Sequence, residues 1–414
     1  MALKSVYHVP RFNVNRNQGV MLTLGFLATL NMHLLLFSYS PLLHNIAEDL
    51  ALTDTEAGFL FSVSILTLML FRIPWGILLD RKGLKTTMGF ALTLLGVFGL
   101  MRGFAVDYVT LLAAQFLLGV ALSGIIPAIP KLVSGWFPRE KVGLATGICL
   151  AGFPIGDVIA VSVTPYLVEA GNGWRQVFQV YGVWALLLIF LWRKFASGEP
   201  KKDKLPASNL PSLKRDFARL LRMKEVWLLT GLYFCAGGCY DTVLVWLPDI
   251  LQVQGLSAFT ASTIATMLPI GFLVSAVTVG AFSDKLGLRK PFILVMGAVS
   301  GPVLYLAGTM LGGGAYAAAF LVGLCTVGVL TLVLAVPVEM PRLSPFLSSA
   351  LGIVSSVGNA GSFLLPTLVG QLRDISGTFL LSMIVLAVVG EGMLALGLML
   401  PETGRRAKAN AKQD

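Results

Sequence analysis

Gly76-Ile-Leu-Leu-Asp80-Arg81-Lys82-Gly83-Leu-Lys85 and Gly280-Ala-Phe-Ser-Asp284-Lys285-Leu-Gly287-Leu-Arg289-Lys290 are two copies of one short pattern. The first glycine, the aspartate and the second glycine all recur at an offset of 204 positions. Each copy ends one long apolar run and leads into another, so each reads as a tight polar loop between two apolar segments. In that setting the first glycine lets a neighbouring helix approach closely, and the aspartate caps or pairs across a helix end. The basic residues anchor the loop at the headgroup layer. A single copy could be chance; two copies at equivalent places mark an internal repeat.

The rest of the chain fits this reading. Of 414 residues, 56% are hydrophobic and 13% charged, with a mean hydropathy of +0.81. That charged share is about half the usual value for a soluble domain, so the exterior cannot be wetted. Apolar runs lie near 19–41, 56–79, 86–104, 109–133, 142–168 and 176–195. After a polar stretch at 196–224 come six more, near 226–250, 259–283, 290–311, 315–338, 347–370 and 378–400. Each is long enough to cross about 30 Å of hydrocarbon, and in lipid each must be a helix. The expected fold is an all-α membrane protein with twelve transmembrane helices in two halves, 1–195 and 225–414, joined by a linker at 196–224.

Charge fixes the expected sidedness. The net charge is +10. With a cytoplasmic N-terminus, 27 of the 31 Lys and Arg residues fall in inner segments and only Arg102, Arg175 and Arg373 in outer loops. That asymmetry places both termini and the central loop in the cytoplasm of a multi-pass inner-membrane protein. The linker begins rich in Pro, Ser and Lys. It ends as a basic amphipathic helix (Leu213, Phe217, Leu220, Leu221) suited to the anionic inner leaflet. The basic excess thus marks a membrane face, not a nucleic-acid surface.

Three histidines and four cysteines show no zinc-ligand spacing, so no metal is expected. The cysteines read as small core residues. No nucleophile set or phosphate loop appears, so neither enzymatic activity nor a cofactor is expected.

The loop doublet resembles that of the major facilitator superfamily, and the six-plus-six layout covers essentially the whole chain. Trp136-Phe-Pro138-Arg139-Glu140, Gly173-Trp174-Arg175 and Pro401-Glu402-Thr403 agree with it. The resemblance implies a secondary transporter working by alternating access, with its site at the midplane between the halves. It also implies that Gly76, Asp80, Arg81, Gly83, Gly280, Asp284 and Gly287 form the inner gating loops.

Ionisable groups inside spans are expensive, and each is a candidate for function. Arg72 is the one basic residue that topology leaves unexplained. It lies eight residues, about 12 Å, before Asp80, too deep to snorkel. Phe71-Arg72-Ile73-Pro74-Trp75-Gly76 resembles the second span of nitrate/nitrite porters, where the arginine holds the anion, and Gly358-Asn359-Ala360-Gly361 resembles their eleventh. Those porters carry a second arginine where this chain has Ala276. One guanidinium with neutral donors suits a singly charged anion. The competing role for Arg72 is a fixed ion pair between helices.

Asp157 and Asp241, in the fifth and seventh spans, are candidate proton carriers. His33, Gln115, Tyr240 and Asn359 are candidate substrate contacts; His33 could also relay protons. Glu391 reads as a helix contact. The expected function is transport of a small anion, a monocarboxylate or an inorganic oxyanion such as nitrate, nitrite or cyanate, with or without a coupled proton, by a monomer in the bilayer. The alternative is a proton-driven exporter of lipophilic compounds. Gly147…Gly152-Phe-Pro154-Ile-Gly156 loosely resembles the drug–proton antiporter motif but lacks its adjacent Gly-Pro pair. A receptor on a transporter scaffold would need a soluble domain longer than the linker or tail.

Overall fold

In the computed structural model, residues 15–171, 173–197, 219–340, 342–343 and 346–404 are described. The expected linker helix at Leu213 and Phe217 lies outside them. All regular structure among the described residues is helical. The first half comprises α1 (Arg16–Phe37), α2 (Leu43–Asp49), α3 (Asp54–Met101), α4 (Tyr108–Leu122), α5 (Ile125–Trp136), α6 (Arg139–Leu150), α7 (Gly152–Gly171) and α8 (Trp174–Phe195). The second comprises α9 (Lys224–Val253), α10 (Ala258–Ala265), α11 (Met267–Leu286), α12 (Lys290–Thr309), α13 (Gly313–Glu339), α14 (Leu347–Gly358), α15 (Ala360–Ser376) and α16 (Leu380–Met399).

Polar residues between the apolar runs set the helix ends. Asn15 with Gln18, Thr53 with Glu56 and Asp107 with Thr110 form capping boxes, each satisfying backbone N–H groups that the first turn leaves free. Among the described residues, eleven helical stretches are long and apolar enough to cross a membrane. One of them, Asp54–Phe104, has 51 residues. As a straight helix it would measure about 77 Å, more than twice the hydrocarbon thickness. It is not straight: Gly83, at φ 78° and ψ 168°, breaks α3 into two arms. Gly287, the same glycine of the second copy, ends α11 at φ 66°. Both take a left-handed backbone that a side chain would strain. The second glycine of each copy is therefore a turn residue.

The repeat extends to packing. In the first half α1 packs on α7, α3 on α4, and α3 on α8. In the second, α9 packs on α15, α11 on α13, and α12 on α16. The halves meet chiefly where α3 runs against α15 and where α7 runs against α10 and α11.

The first glycines behave otherwise than expected. A Cβ on Gly76 would meet nothing within 4 Å, and one on Gly280 only the Thr331 methyl at 3.7 Å. Neither admits a close helix. Gly76 instead borders a groove with Asp80, Pro127, Pro130, Lys131 and Val142, all of the first half.

Around the loops, each half builds its own polar cluster. Lys131 Nζ pairs with Asp80 at 3.2 Å and donates to the Leu79 carbonyl, while Arg81 is exposed. In the second half Arg289 pairs with Asp284 and, at 2.7 Å, with Glu339. Glu402 accepts the backbone N–H groups of Arg289 and Lys290. These acceptors hold Arg289 charged and raise its pKa, Glu339 contributing most. Arg289→Ala leaves Glu339 partly buried without its cation and removes charge-assisted hydrogen bonds worth about 2 kcal/mol. The thermal midpoint of the purified protein should fall by about 2 to 3 °C, read by the intrinsic fluorescence of its tryptophans.

Candidate functional site

Between the halves lies a cavity of about 190 Å³. Its polar lining is Arg72 from α3, His33 from α1, Tyr233, Tyr240 and Asp241 from α9, and Asn359 and Ser362 at the α14–α15 junction. Most of the remaining wall is apolar or aromatic, including Phe37, Phe153, Phe272 and Leu330. Five of the residues singled out in the sequence thus share one chamber: Arg72, His33, Tyr240, Asp241 and Asn359.

Arg72 sits one turn before the loop-side stretch of its arm, just ahead of Pro74 within the helix. It lines the chamber together with Tyr233, and Nε is inaccessible with no hydrogen-bond partner. Among the described residues no carboxylate lies within 4.0 Å of it. The fixed ion pair weighed in the sequence is therefore absent from this arrangement. A partly buried guanidinium without an ion-pair partner is costly unless something supplies acceptors.

The other expected partner, Asp157, is engaged elsewhere. It is fully buried behind the wall. His33 Nδ1 lies 2.8 Å from its Oδ1, and Tyr240 donates its hydroxyl to Oδ2 at 3.2 Å. The His33 ring stacks on Phe153, with centroids 4.3 Å apart, and touches Phe37. Asp241 stays on the wall, with Ser362 Oγ buried beside it but lacking a well-formed hydrogen bond. Gln115 is not on the wall. It is buried against Ser64, whose hydroxyl donates to the Gln115 backbone carbonyl at 2.9 Å. Glu391 packs against Gly301 of α12, away from the chamber.

On the side away from the loop doublet the halves are pinned together. Arg373 pairs with Asp54 at 2.7 Å and with Asp249 at 3.3 Å. His44 Nδ1 lies 2.8 Å from the buried Asp249. Asp374 accepts the backbone N–H groups of Asp54 and Thr55 at 3.0 and 2.8 Å. Ser40 donates to the Leu244 carbonyl, and Thr367 donates to Ser62. A Cβ on Gly370 would run into the Asp54 carbonyl, and one on Gly58 into the Pro366 carbonyl. Among the described residues every side-chain hydrogen bond between the halves lies from the Asp157–Tyr240 contact outward to this far end.

Sequence reasoning missed two residues here. Arg373 and Arg102 had been placed in outer loops. Arg373 bridges the halves, and its acidic partners Asp54 and Asp249 carried no local signal. Arg102 is fully buried, donating to the Leu35 carbonyl at 2.8 Å with its guanidinium 4.1 Å from the Phe178 ring centre.

A chamber between two repeated helical halves, joined on one side of it, fits a transporter. Residues 25–344 match the model of the Major Facilitator Superfamily. The chain belongs to that family: it is a multi-pass membrane transporter and not an enzyme. It is 28% identical to the 3-(3-hydroxy-phenyl)propionate transporter of Escherichia coli, over 92% of this chain and 93% of that one. It is 25% identical to a putative tartrate transporter of Agrobacterium vitis (80% and 78% covered) and 26% identical to the hexuronate transporter of Bacillus subtilis (81% and 83%). Among solved structures, a bacterial homologue of the human lysosomal transporter Spinster, inward-facing and occupied, superposes with a TM-score of 0.74 at 17% identity, covering 92% of this chain and 96% of that one.

Proposed function

We propose that this protein is a secondary transporter of a small organic anion, a monocarboxylate with an apolar or aromatic body, moved by alternating access and coupled to protons. The observation that carries this reading is the unpartnered Arg72 guanidinium in a chamber with mostly apolar walls. The substrate carboxylate takes the forked donors of Arg72, with Asn359 as a neutral neighbour. The body packs among Phe37, Phe153 and Phe272. A dicarboxylate would need a second cation, yet the only other basic group on the wall among the described residues, His33, already serves Asp157. An inorganic oxyanion would leave the aromatic wall unused. The relatives named for hydroxyphenylpropionate, tartrate and hexuronate support an organic acid.

In this reading the two arms of α3 are separate spans, making twelve, and 1–195 and 225–414 are the rocking halves. The basic loops and both termini are cytoplasmic, so the sealed far end is the outer one and the structure faces inward. Asp80, Arg81, Asp284 and the loop glycines serve the inner gate, whose contacts between halves form when that side closes. Gln115 supports α3 through Ser64 without touching substrate.

The test is uptake of radiolabelled 3-phenylpropionate into proteoliposomes, competed with unlabelled compounds. Unlabelled benzoate and phenylacetate should compete, whereas nitrate and succinate should not. Competition by nitrate but by none of the carboxylates would overturn the assignment.

A further inference from the structure

Asp157 is the one buried carboxylate at the chamber whose two oxygens are held by different halves. Oδ1 meets His33 Nδ1 of α1 at 2.8 Å, within the first half. Oδ2 accepts from the Tyr240 hydroxyl of α9, in the second, at 3.2 Å. No arginine or lysine neutralises it among the described residues. The titratable groups facing it are His33 from α1 and Tyr240 and Asp241 from α9. The residue that α11 brings to this wall is Phe272, edge-on to Tyr240.

From this geometry we infer that Asp157 is a proton-binding site whose occupancy is linked, through Tyr240, to opening of the far end. The inference deepens the transporter reading above and rests on it only for the existence of two alternating states. With the far end closed, the buried anion has a donor from each half. Opening parts α7 from α9 and withdraws the Tyr240 hydroxyl, leaving a buried carboxylate short of one hydrogen bond. The neutral acid suffers less from that loss, so the open state binds the proton more tightly. By linkage, protonation drives opening and deprotonation favours closure.

The proton has a defined route. Asp157 has no exposed surface, whereas 15% of the His33 side chain is exposed on the chamber wall. Neutral His33, donating from Nδ1 to Asp157, carries its lone pair on Nε2. A proton taken at Nε2 and one released from Nδ1 to Oδ1 convert the carboxylate to the acid and return His33 to neutrality. Asp241, which lies on the wall itself, is not needed for this step.

The test needs no substrate. Spin labels on Val106→Cys and Ile375→Cys, exposed sites in opposite halves, report the far-end distance in nanodiscs by double electron–electron resonance. The four native cysteines are buried. As pH falls from 8 to 5, the wild-type open-to-closed ratio should rise about tenfold or more, the scale set by one hydrogen bond to a charged group. Asp157→Asn should favour the open distance at every pH. Tyr240→Phe, which removes the difference between the states, should abolish the pH response. Arg72→Ala and His44→Gln should retain it, separating this proposal from anion binding and from the far-end His44–Asp249 pair. A wild-type distance indifferent to pH, or a full response surviving in Asp157→Asn or Tyr240→Phe, would overturn the inference. So would a response abolished by His44→Gln.

Discussion

Replacing Arg72 with alanine is expected to abolish carboxylate uptake while the protein still inserts and remains monodisperse. Arg72 is partly buried, lacks a carboxylate partner within 4.0 Å among the described residues, and leaves its inaccessible Nε without a hydrogen bond. Nothing in the resting fold is held by it, so its loss removes a ligand contact and little else. Truncating one side of a desolvated charge pair costs about 2–5 kcal/mol, or roughly 30-fold to several-thousand-fold in affinity. Arg72→Lys keeps the charge but not the fork and should fall between. Uptake kinetics in proteoliposomes read this directly, and Arg72→Ala should also keep the wild-type thermal midpoint without substrate.

The second large effect is expected at the far end. Gly370 and Gly58 stand where backbones of opposite halves touch, and any Cβ there meets a carbonyl of the other half. A carbonyl cannot turn away as a flexible side chain can. Gly370→Val should therefore oppose closure of that end by about 3 kcal/mol, a factor of about 10² in population. Transport should collapse while anion binding from the far side persists. The same label pair across the far end should read the open distance, even at pH 8. Wild-type transport by Gly370→Val would show that the halves do not close as tightly there as the structure has them.

The two mutations sit at opposite extremes of what the sequence made legible. Arg72 stood out because hydropathy and charge asymmetry account for the other basic residues by position, and a deep arginine fits neither. The fold was equally readable, since the loop doublet recurs at a fixed offset and apolar runs of span length can only be helices in lipid. Gly370 gave no such signal: glycine is common throughout the chain, with 44 copies. Its role comes from the approach of α3 to α15, which no local pattern encodes.

The same limit explains the rest of the site. His33, Asp157 and Tyr240 were each visible as polar residues in apolar runs. That they meet was not, because 124 and 83 positions separate Asp157 from its two partners. Gln115 reads as a candidate substrate contact in the sequence, but it is buried against Ser64 instead. Arg102 and Arg373 looked like loop residues because they end apolar runs. Their burial depends on carbonyls, rings and acids supplied by distant helices. Gly76 and Gly280 read as close-packing residues in the sequence, yet a Cβ on Gly76 would meet nothing within 4 Å and one on Gly280 only the Thr331 methyl.

The claim that Arg72 holds a carboxylate is tested most directly by ligand stabilisation of purified protein, with 3-phenylpropionate compared against its neutral amide. At about one hundred times the dissociation constant, a ligand bound only to the folded state adds about 2.7 kcal/mol. The acid should raise the thermal midpoint of the wild type and leave Arg72→Ala unmoved, and the amide should stabilise neither. Equal stabilisation of wild type and Arg72→Ala by the acid, or of the wild type by acid and amide alike, would contradict it.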